Sequence, residues 1–297
     1  MDGFVKSIKG GIGTCCVPLF RFYIRYFPFQ FGKRFLLGKV IWREYRYVAR
    51  TKAGFKMAGR SADQVQGFIY YFGVWEPNLS AFIESRLSLG RTFIDIGANV
   101  GYFTLLAARK GSVVSIEAFP SIFSTLTENV LRNRLNNVRL VPYAVIDTAR
   151  DIQMFHGGES NEGRSTTVAG RFQSQAITVR GKPLDALLTD NEIASARMIK
   201  IDVEGAERAV IVGMKSLLPK FPDDIEIVVE VSPSAPGQAN EIFAIFESAG
   251  FFPYLIENSY ELGYYLSSPA PTRPLRMREL PIKMTDVVFS KINADAL

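Results

Sequence analysis

Residues Thr92–Gly101 read TFIDIGANVG. Apolar, β-forming residues run into Asp95; Gly97, Asn99 and Gly101 follow at alternate positions, and an apolar helical pattern begins at once. That order describes a buried strand ending in a tight glycine turn that feeds a helix N-terminus. Glycine lets the backbone approach a ligand where a side chain would collide. Dinucleotide binders place G-x-G-x-x-G here, because a pyrophosphate sits on bare backbone and a helix N-terminus. This chain offers D-x-G-x-N-x-G instead, and an acid at the turn suits a cation or a hydroxyl better than a phosphate. The expected ligand is a nucleoside cofactor with an amine and no phosphate: S-adenosyl-L-methionine, with S-adenosyl-L-homocysteine as its product.

Outward from this turn, strand and helix alternate. Strands are expected at Thr92–Ile96, Val113–Ala118, Val138–Val145, Met198–Glu204 and Asp224–Val231, and helices at Val100–Arg109, Ser121–Leu135, Ala206–Leu217 and Gln238–Ala249. Short Val- and Ile-rich runs between helical patterns mean a parallel sheet covered on both faces. An insert, residues 147–190, carries β character at Ile152–Phe155 and Ala176–Arg180. Two more strands, Phe251–Glu257 and Thr285–Ser290, are joined by a Pro-rich stretch. The predicted fold class is α/β: a Rossmann-like, doubly wound, mostly parallel sheet with a reversed last strand, the class I methyltransferase arrangement.

Glu117 ends the second strand, twenty positions after Gly97. The C-terminal ends of neighbouring strands line one crevice in such a sheet, and a carboxylate there can accept both ribose hydroxyls. In MIKIDVEGAE (198–207), strand alternation puts Lys200, Asp202 and Glu204 on one face. Parallel core strands are apolar on both faces, and an unpaired buried charge is expensive. These charges are therefore expected to emerge in the crevice, the bland alternative being a Lys200–Asp202 pair that seals the sheet. Glu230, ending the fifth strand, could join them.

Taken in order, TFIDIGANVGYFT, IEAFP, PLDALL, MIKIDVEGAE and IVVEV resemble the FkbM-type S-adenosylmethionine-dependent methyltransferases, from about Gly73 to the end of the chain. The insert residues EGRSTTV fit the same resemblance. It implies that Asp95, Gly97, Ala98, Asn99 and Gly101 hold the methionine part of the cofactor and Glu117 the ribose. Ala118 and Phe119 would flank the adenine, with Ala144 at the end of the third strand. Asp202 belongs to the same cofactor set, and Glu76, in VWEPNL, stands where a residue before the first strand closes over the cofactor. The family methylates hydroxyls of sugars or polyketides, which implies O-methylation of a small-molecule or glycan acceptor.

Alignment of a hydroxyl with an activated methyl group is most of the task, and a base within reach can take the proton. Asp202 is the first candidate, Glu204 the next, and His156, the only histidine, a third. Asp202, Glu204 and Glu230 could instead hold one divalent cation; no spacing demands a metal. Three rival readings remain. A nucleic-acid methyltransferase lacks both an N-P-P-Y motif and a Pro-Cys nucleophile. A non-catalytic binding module would not need the intact acid set, and an NAD enzyme would want the dinucleotide spacing.

The net charge of +6 is uneven: residues 1–60 hold thirteen Lys/Arg against two acids, the remainder 22 against 27. Basic and aromatic residues interleave through residues 19–47. A spanning helix needs about twenty mostly apolar residues, and Arg21 and Arg25 interrupt the best window. Residues 1–53 are expected to form a basic helical extension. Its aromatics would either pack on the core while Lys/Arg snorkel, or form a surface that meets an anionic membrane or an anionic substrate. Residues 54–91 should form a hairpin, then a helix leading into the catalytic domain at 92–297. Adjacent Cys15 and Cys16 suit no ordinary disulfide, and a reducing, cytoplasmic setting is expected.

Overall fold

The computed structural model describes residues 6–7, 17–40, 44–61, 63–156, 165–166, 176–232 and 236–297. The N-terminal part consists of β1 (Lys6–Ser7), α1 (Val17–Tyr26), α2 (Lys33–Val40), β2 (Tyr45–Arg50) and β3 (Lys56–Arg60), with the strands paired in the order β1-β2-β3. The hairpin is thus β2–β3 and lies earlier than expected. Gln64–Phe72 is helix α3, capped by Asp63, whose side chain accepts the Gln66 N–H, and closed by Gly73 at φ +73°. Gln66 through Phe72 are all buried. Aromatic and β-branched residues make up most of this short helix, which is why it reads as strand. Helix α4 (Pro77–Arg86) follows.

The core alternates as anticipated: β4 (Thr92–Ile96), α5 (Tyr102–Ala107), β5 (Ser112–Ile116), α6 (Pro120–Arg132) and β6 (Val138–Val141). The insert then supplies β7 (Ala144–Val145), β8 (Arg150–His156), β9 (Ser165–Thr166) and β10 (Ile177–Lys182), which form a separate sheet ordered β7-β10-β8-β9. The third core strand therefore stops at Val141. Ala144 belongs to the insert sheet, where it pairs in parallel with Gly181. Next come α7 (Asp190–Ser195), β11 (Ala196–Ile201), α8 (Glu207–Met214), β12 (Glu226–Val231), α9 (Pro236–Ser248), β13 (Phe252–Ile256), α10 (Leu262–Ser267), β14 (Leu275–Arg276) and β15 (Thr285–Ser290).

The main sheet runs β14-β13-β15-β12-β11-β4-β5-β6. From β12 to β6 all pairings are parallel; β15 is antiparallel to both β12 and β13. This is the doubly wound class I methyltransferase arrangement. β4 and β11 are buried at every position, as strands with helices on both faces must be. One apolar core, around Phe93, Leu105 and Leu126, joins α5 and α6 to buried N-terminal residues such as Val17, Ile24 and Tyr47. The other, around Ile94, Ile199 and Ile211, lies under α8 and α9.

β11 ends at Ile201, not at Glu204. Asp202 N–H still donates to the Ile96 carbonyl (3.0 Å), but Glu204 and Gly205 then take positive φ, +53° and +107°. Simple strand alternation therefore does not extend to Asp202 and Glu204. At the opposite, N-terminal end of the strands, fully buried Glu226 meets Arg197 Nη1 at 2.9 Å and Arg86 Nε at 3.3 Å. A carboxylate there is held by two guanidinium groups.

Candidate active site

The turn after β4 is built by backbone. Gly97 and Ala98 N–H both donate to the Ile116 carbonyl (3.0 Å each), which ties the turn to β5. Gly97 has φ +78° and Asn99 φ +52°. Glu117, just beyond β5, reaches back over this turn: Oε2 accepts the Asn99 N–H (3.0 Å) and Oε1 the Phe119 N–H (2.9 Å). The Ala118 N–H bonds the carboxylate as well, and the four lone pairs of the two oxygens are not all used. Burial pushes the Glu117 carboxyl up to about 7 even against these N–H donors.

A cleft opens at the C-terminal ends of β4, β5, β11 and β12. Gly97, Ala98, Asn99, Glu117, Ala118 and Ala144 line one half; Glu76, Asp202, Glu204 and Glu230 line the other. Three expected cofactor residues stand elsewhere. Asp95 is 1% exposed, beneath the cleft; its Oδ2 accepts from Thr104 Oγ1 (2.6 Å), while Oδ1 has no hydrogen-bond partner among the described residues. Gly101, φ +91°, caps α5, and a Cβ there would meet Leu126 Cδ1 at 2.6 Å. Its place is set by helix packing. Phe119 is buried as the cap of α6. His156 closes β8 opposite Ser165, and its imidazole lies outside the described residues.

Lys200 organises the acidic half. It is buried on β11 in register with Asp95, and its Nζ donates to Asp202 Oδ2 at 2.8 Å and lies 5.1 Å above the Phe103 ring. Burial pulls its pKa down, but Asp202, Asp95 and Glu76 more than offset this, and the ammonium is raised above its ordinary value. Asp202 is about one-third exposed, so one carboxylate is both anchored and open to the cleft. Glu207 Oε1 accepts the Val203 and Gly205 N–H groups (3.2 and 3.0 Å) and fixes the loop that carries Asp202 and Glu204.

Other groups reached the site from distant segments. Tyr260 donates to Glu76 Oε1 (2.8 Å) and stacks on Trp75 at 5.3 Å, while the Glu76 N–H donates to Tyr265 Oη (3.0 Å). Glu76 Oε2 is buried without a hydrogen-bond partner among the described residues. Burial, then Asp286, hold the Glu76 carboxyl well above its usual range. Glu230 is also raised, by burial first and then by Asp202, Asp286 and Glu204. Among the described residues, no group of three or more His, Cys, Asp or Glu is placed to hold a metal ion.

The residues present fit S-adenosylmethionine. A glycine turn too tight for a Cβ, a carboxylate with free lone pairs, and an apolar wall of Ile116, Ile146 and Ile152 suit the nucleoside. The orphaned Glu76 oxygen and surplus of acids suit its positive groups. Tyr260 gave no signal in the sequence, since it sits in an unpatterned connection; Glu207 closes the KIDVEGAE motif and was legible only as part of it.

Comparison with known proteins agrees. Residues 95–253 match the Methyltransferase FkbM domain. The hexuronic acid methyltransferase AglP of Haloferax volcanii is 28% identical over 127 residues, 42% of this chain and 50% of that one. The 31-O-demethyl-FK506 methyltransferase FkbM of Streptomyces tacrolimicus is 27% identical over 197 residues, 56% of this chain and 74% of that one. The match thus spans half the length of the first relative. A SAM-dependent O-methyltransferase structure from Thermotoga maritima aligns with TM-score 0.42 and 15% identity, over 83% of this chain and 78% of that one. With the family's domain matched over more than half of the chain's 297 residues, this chain belongs to the FkbM methyltransferase family.

Proposed function

We propose that the protein transfers a methyl group from S-adenosylmethionine to a hydroxyl of a sugar, glycan or polyketide-type acceptor. The observation that carries this reading is the shared cleft of Glu117 and the Lys200-anchored Asp202. When bound, the cofactor supplies a methyl group already activated on a sulfonium. Glu117 would hold the ribose hydroxyls, the Gly97–Asn99 turn the amino-acid part, and Ala118 and Ala144 the edge of the adenine. Glu76 and Glu230, which keep their protons in the empty cleft, would supply negative charge once a positive group sat beside them.

Asp202 takes the proton of the acceptor hydroxyl. Lys200 keeps its carboxylate in place, and Glu207 holds the loop behind it. A positioned base of this kind contributes roughly 10²–10⁴ in rate. The relatives' names, one for a hexuronic acid and one for 31-O-demethyl-FK506, favour oxygen as the methylated atom.

The test is calorimetry with S-adenosylhomocysteine and NAD, followed by transfer of labelled methyl to hexuronates, neutral sugars and polyketide alcohols. Homocysteine-nucleoside binding and an O-methyl product are expected. NAD binding without a response to S-adenosylhomocysteine, or label found only on nitrogen or carbon, would overturn the reading.

A further inference from the structure

The N-terminal helices are mounted with their polarity reversed. Arginines on a surface helix ordinarily reach into water. Here Arg21 Nε donates to the Tyr70 carbonyl and its Nη2 to the Arg50 carbonyl (2.9 Å each), and Arg25 Nη1 donates to Arg50 as well (2.7 Å). Buried Lys33 donates to the carbonyls of Ile24 and Phe27. The cations are spent on the protein's own backbone, and the aromatic side is turned outward.

That outward side is rich in large aromatic side chains. Phe22, Tyr26, Phe27, Phe29, Phe31 and Phe35 are each between 46% and 90% exposed. Phe22 lies 5.2 Å from Tyr26, and Phe27 lies 5.9 Å from Phe29, ring centre to ring centre. An exposed apolar patch of this kind marks a contact surface. The charge of this stretch of the chain selects the partner. From Gly3 to Arg43 there are eight Lys/Arg and no acid. Arg34 and Lys39 are exposed within the patch, Lys39 Nζ 5.6 Å above the Phe35 ring. Two copies of this surface would repel each other, whereas aromatic rings flanked by cations match the headgroup region of an anionic bilayer. No helix among the described residues is long and apolar enough to cross one.

We infer that the α1–α2 aromatic ridge docks the protein on an anionic lipid surface, with its rings among the headgroups and Arg34 and Lys39 against lipid phosphates. The contact lies beside the roof of the cleft: Gln30 Nε2 donates to the Leu266 carbonyl of α10 (3.1 Å), the helix whose Tyr265 accepts the Glu76 N–H.

The full chain is sedimented with vesicles of phosphatidylcholine alone and of phosphatidylcholine mixed equally with phosphatidylglycerol, at low and high salt. Binding to the mixed vesicles only, lost as salt rises, is expected. The Phe29→Ser/Phe31→Ser/Phe35→Ser variant should bind them at least about tenfold more weakly, with unchanged melting temperature and S-adenosylhomocysteine affinity. Those two controls separate failure of this inference from failure of the cofactor assignment. Absence of vesicle binding by the unaltered chain, or equal binding by the variant, overturns the inference. So does self-association that the variant abolishes without any vesicle binding.

Discussion

A Cβ placed on Gly97 would stand 1.8 Å from the carbonyl oxygen of Asp202. The turn expected to hold the cofactor and the strand end carrying the candidate base are therefore in direct backbone contact. Neither can shift alone, because the Asp202 N–H is held by the Ile96 carbonyl next to Gly97. Gly97→Ala combines this collision with φ +78°, and should cost about 3 kcal/mol or more. Thermal unfolding and S-adenosylhomocysteine calorimetry check it; an alanine variant with unchanged stability and affinity would contradict the packing described.

Glu117→Ala leaves the Asn99 and Phe119 N–H groups without their acceptor and removes the seat for two hydroxyls. Each lost buried partner costs about 1–3 kcal/mol. Cofactor affinity should fall by at least about tenfold, and melting temperature should fall with it. An affinity loss absent from calorimetry would move the ribose elsewhere.

Asp202→Asn keeps the shape of the side chain and removes the base. Lys200 retains Asp95 in register and Glu76 nearby, so the fold should survive with cofactor affinity nearly intact. Turnover should fall by about 10²–10⁴. If the Lys200–Asp202 pair only sealed the sheet, the variant would instead lose several kcal/mol of stability and keep its turnover. Chemical denaturation and steady-state kinetics on one sample separate the two outcomes.

The raised carboxyls make a stability prediction with a definite sign. Burial lifts Glu117 to about 7, and lifts Glu76 and Glu230 above their ordinary range, so the folded chain holds protons that the unfolded chain has released. Stability of the ligand-free protein should therefore fall as pH rises from the ordinary carboxylate value near 4.5 through 7. Glu117 alone contributes up to about 3 kcal/mol of this loss. Glu230→Gln should raise the melting temperature at pH 8 and flatten the profile. A ligand-free protein that grows more stable across that interval would show that these groups are not buried as described.

The sheet was legible because its strands are short Val- and Ile-rich runs separated by periodic helices, and Glu117, Asp202 and Glu204 reach the cleft from strand ends as their positions imply. What escaped detection had physical causes. The aromatic and β-branched residues of α3 favour a strand by type, and burial from Gln66 to Phe72 overrode that preference. Positive φ at Glu204 ended β11 earlier than residue type could show. Gly101 looked like a ligand glycine, yet Leu126 is the atom set that excludes its Cβ. Tyr260 and Tyr265 arrive from a segment nearly two hundred residues from Glu76, and no local pattern encodes that meeting. The sequence leaves open which way the N-terminal aromatics face, because arginines binding backbone carbonyls reverse the usual rule for a surface helix.

Strand β12 carries the same kind of residue at its first and next-to-last positions, in opposite circumstances. Glu226 is clasped by Arg197 and Arg86, whereas Glu230 looks toward Asp202, Asp286 and Glu204. The empty protein thus carries electrostatic tension at one end of a strand that is fastened at the other. A cationic ligand relieves that tension only in the folded chain, and whatever binds the folded form alone protects it from unfolding. Inside a cell that destroys unfolded chains, the lifetime of this protein would follow the supply of its methyl donor, and starvation for the donor would thin the population before it slowed any single molecule.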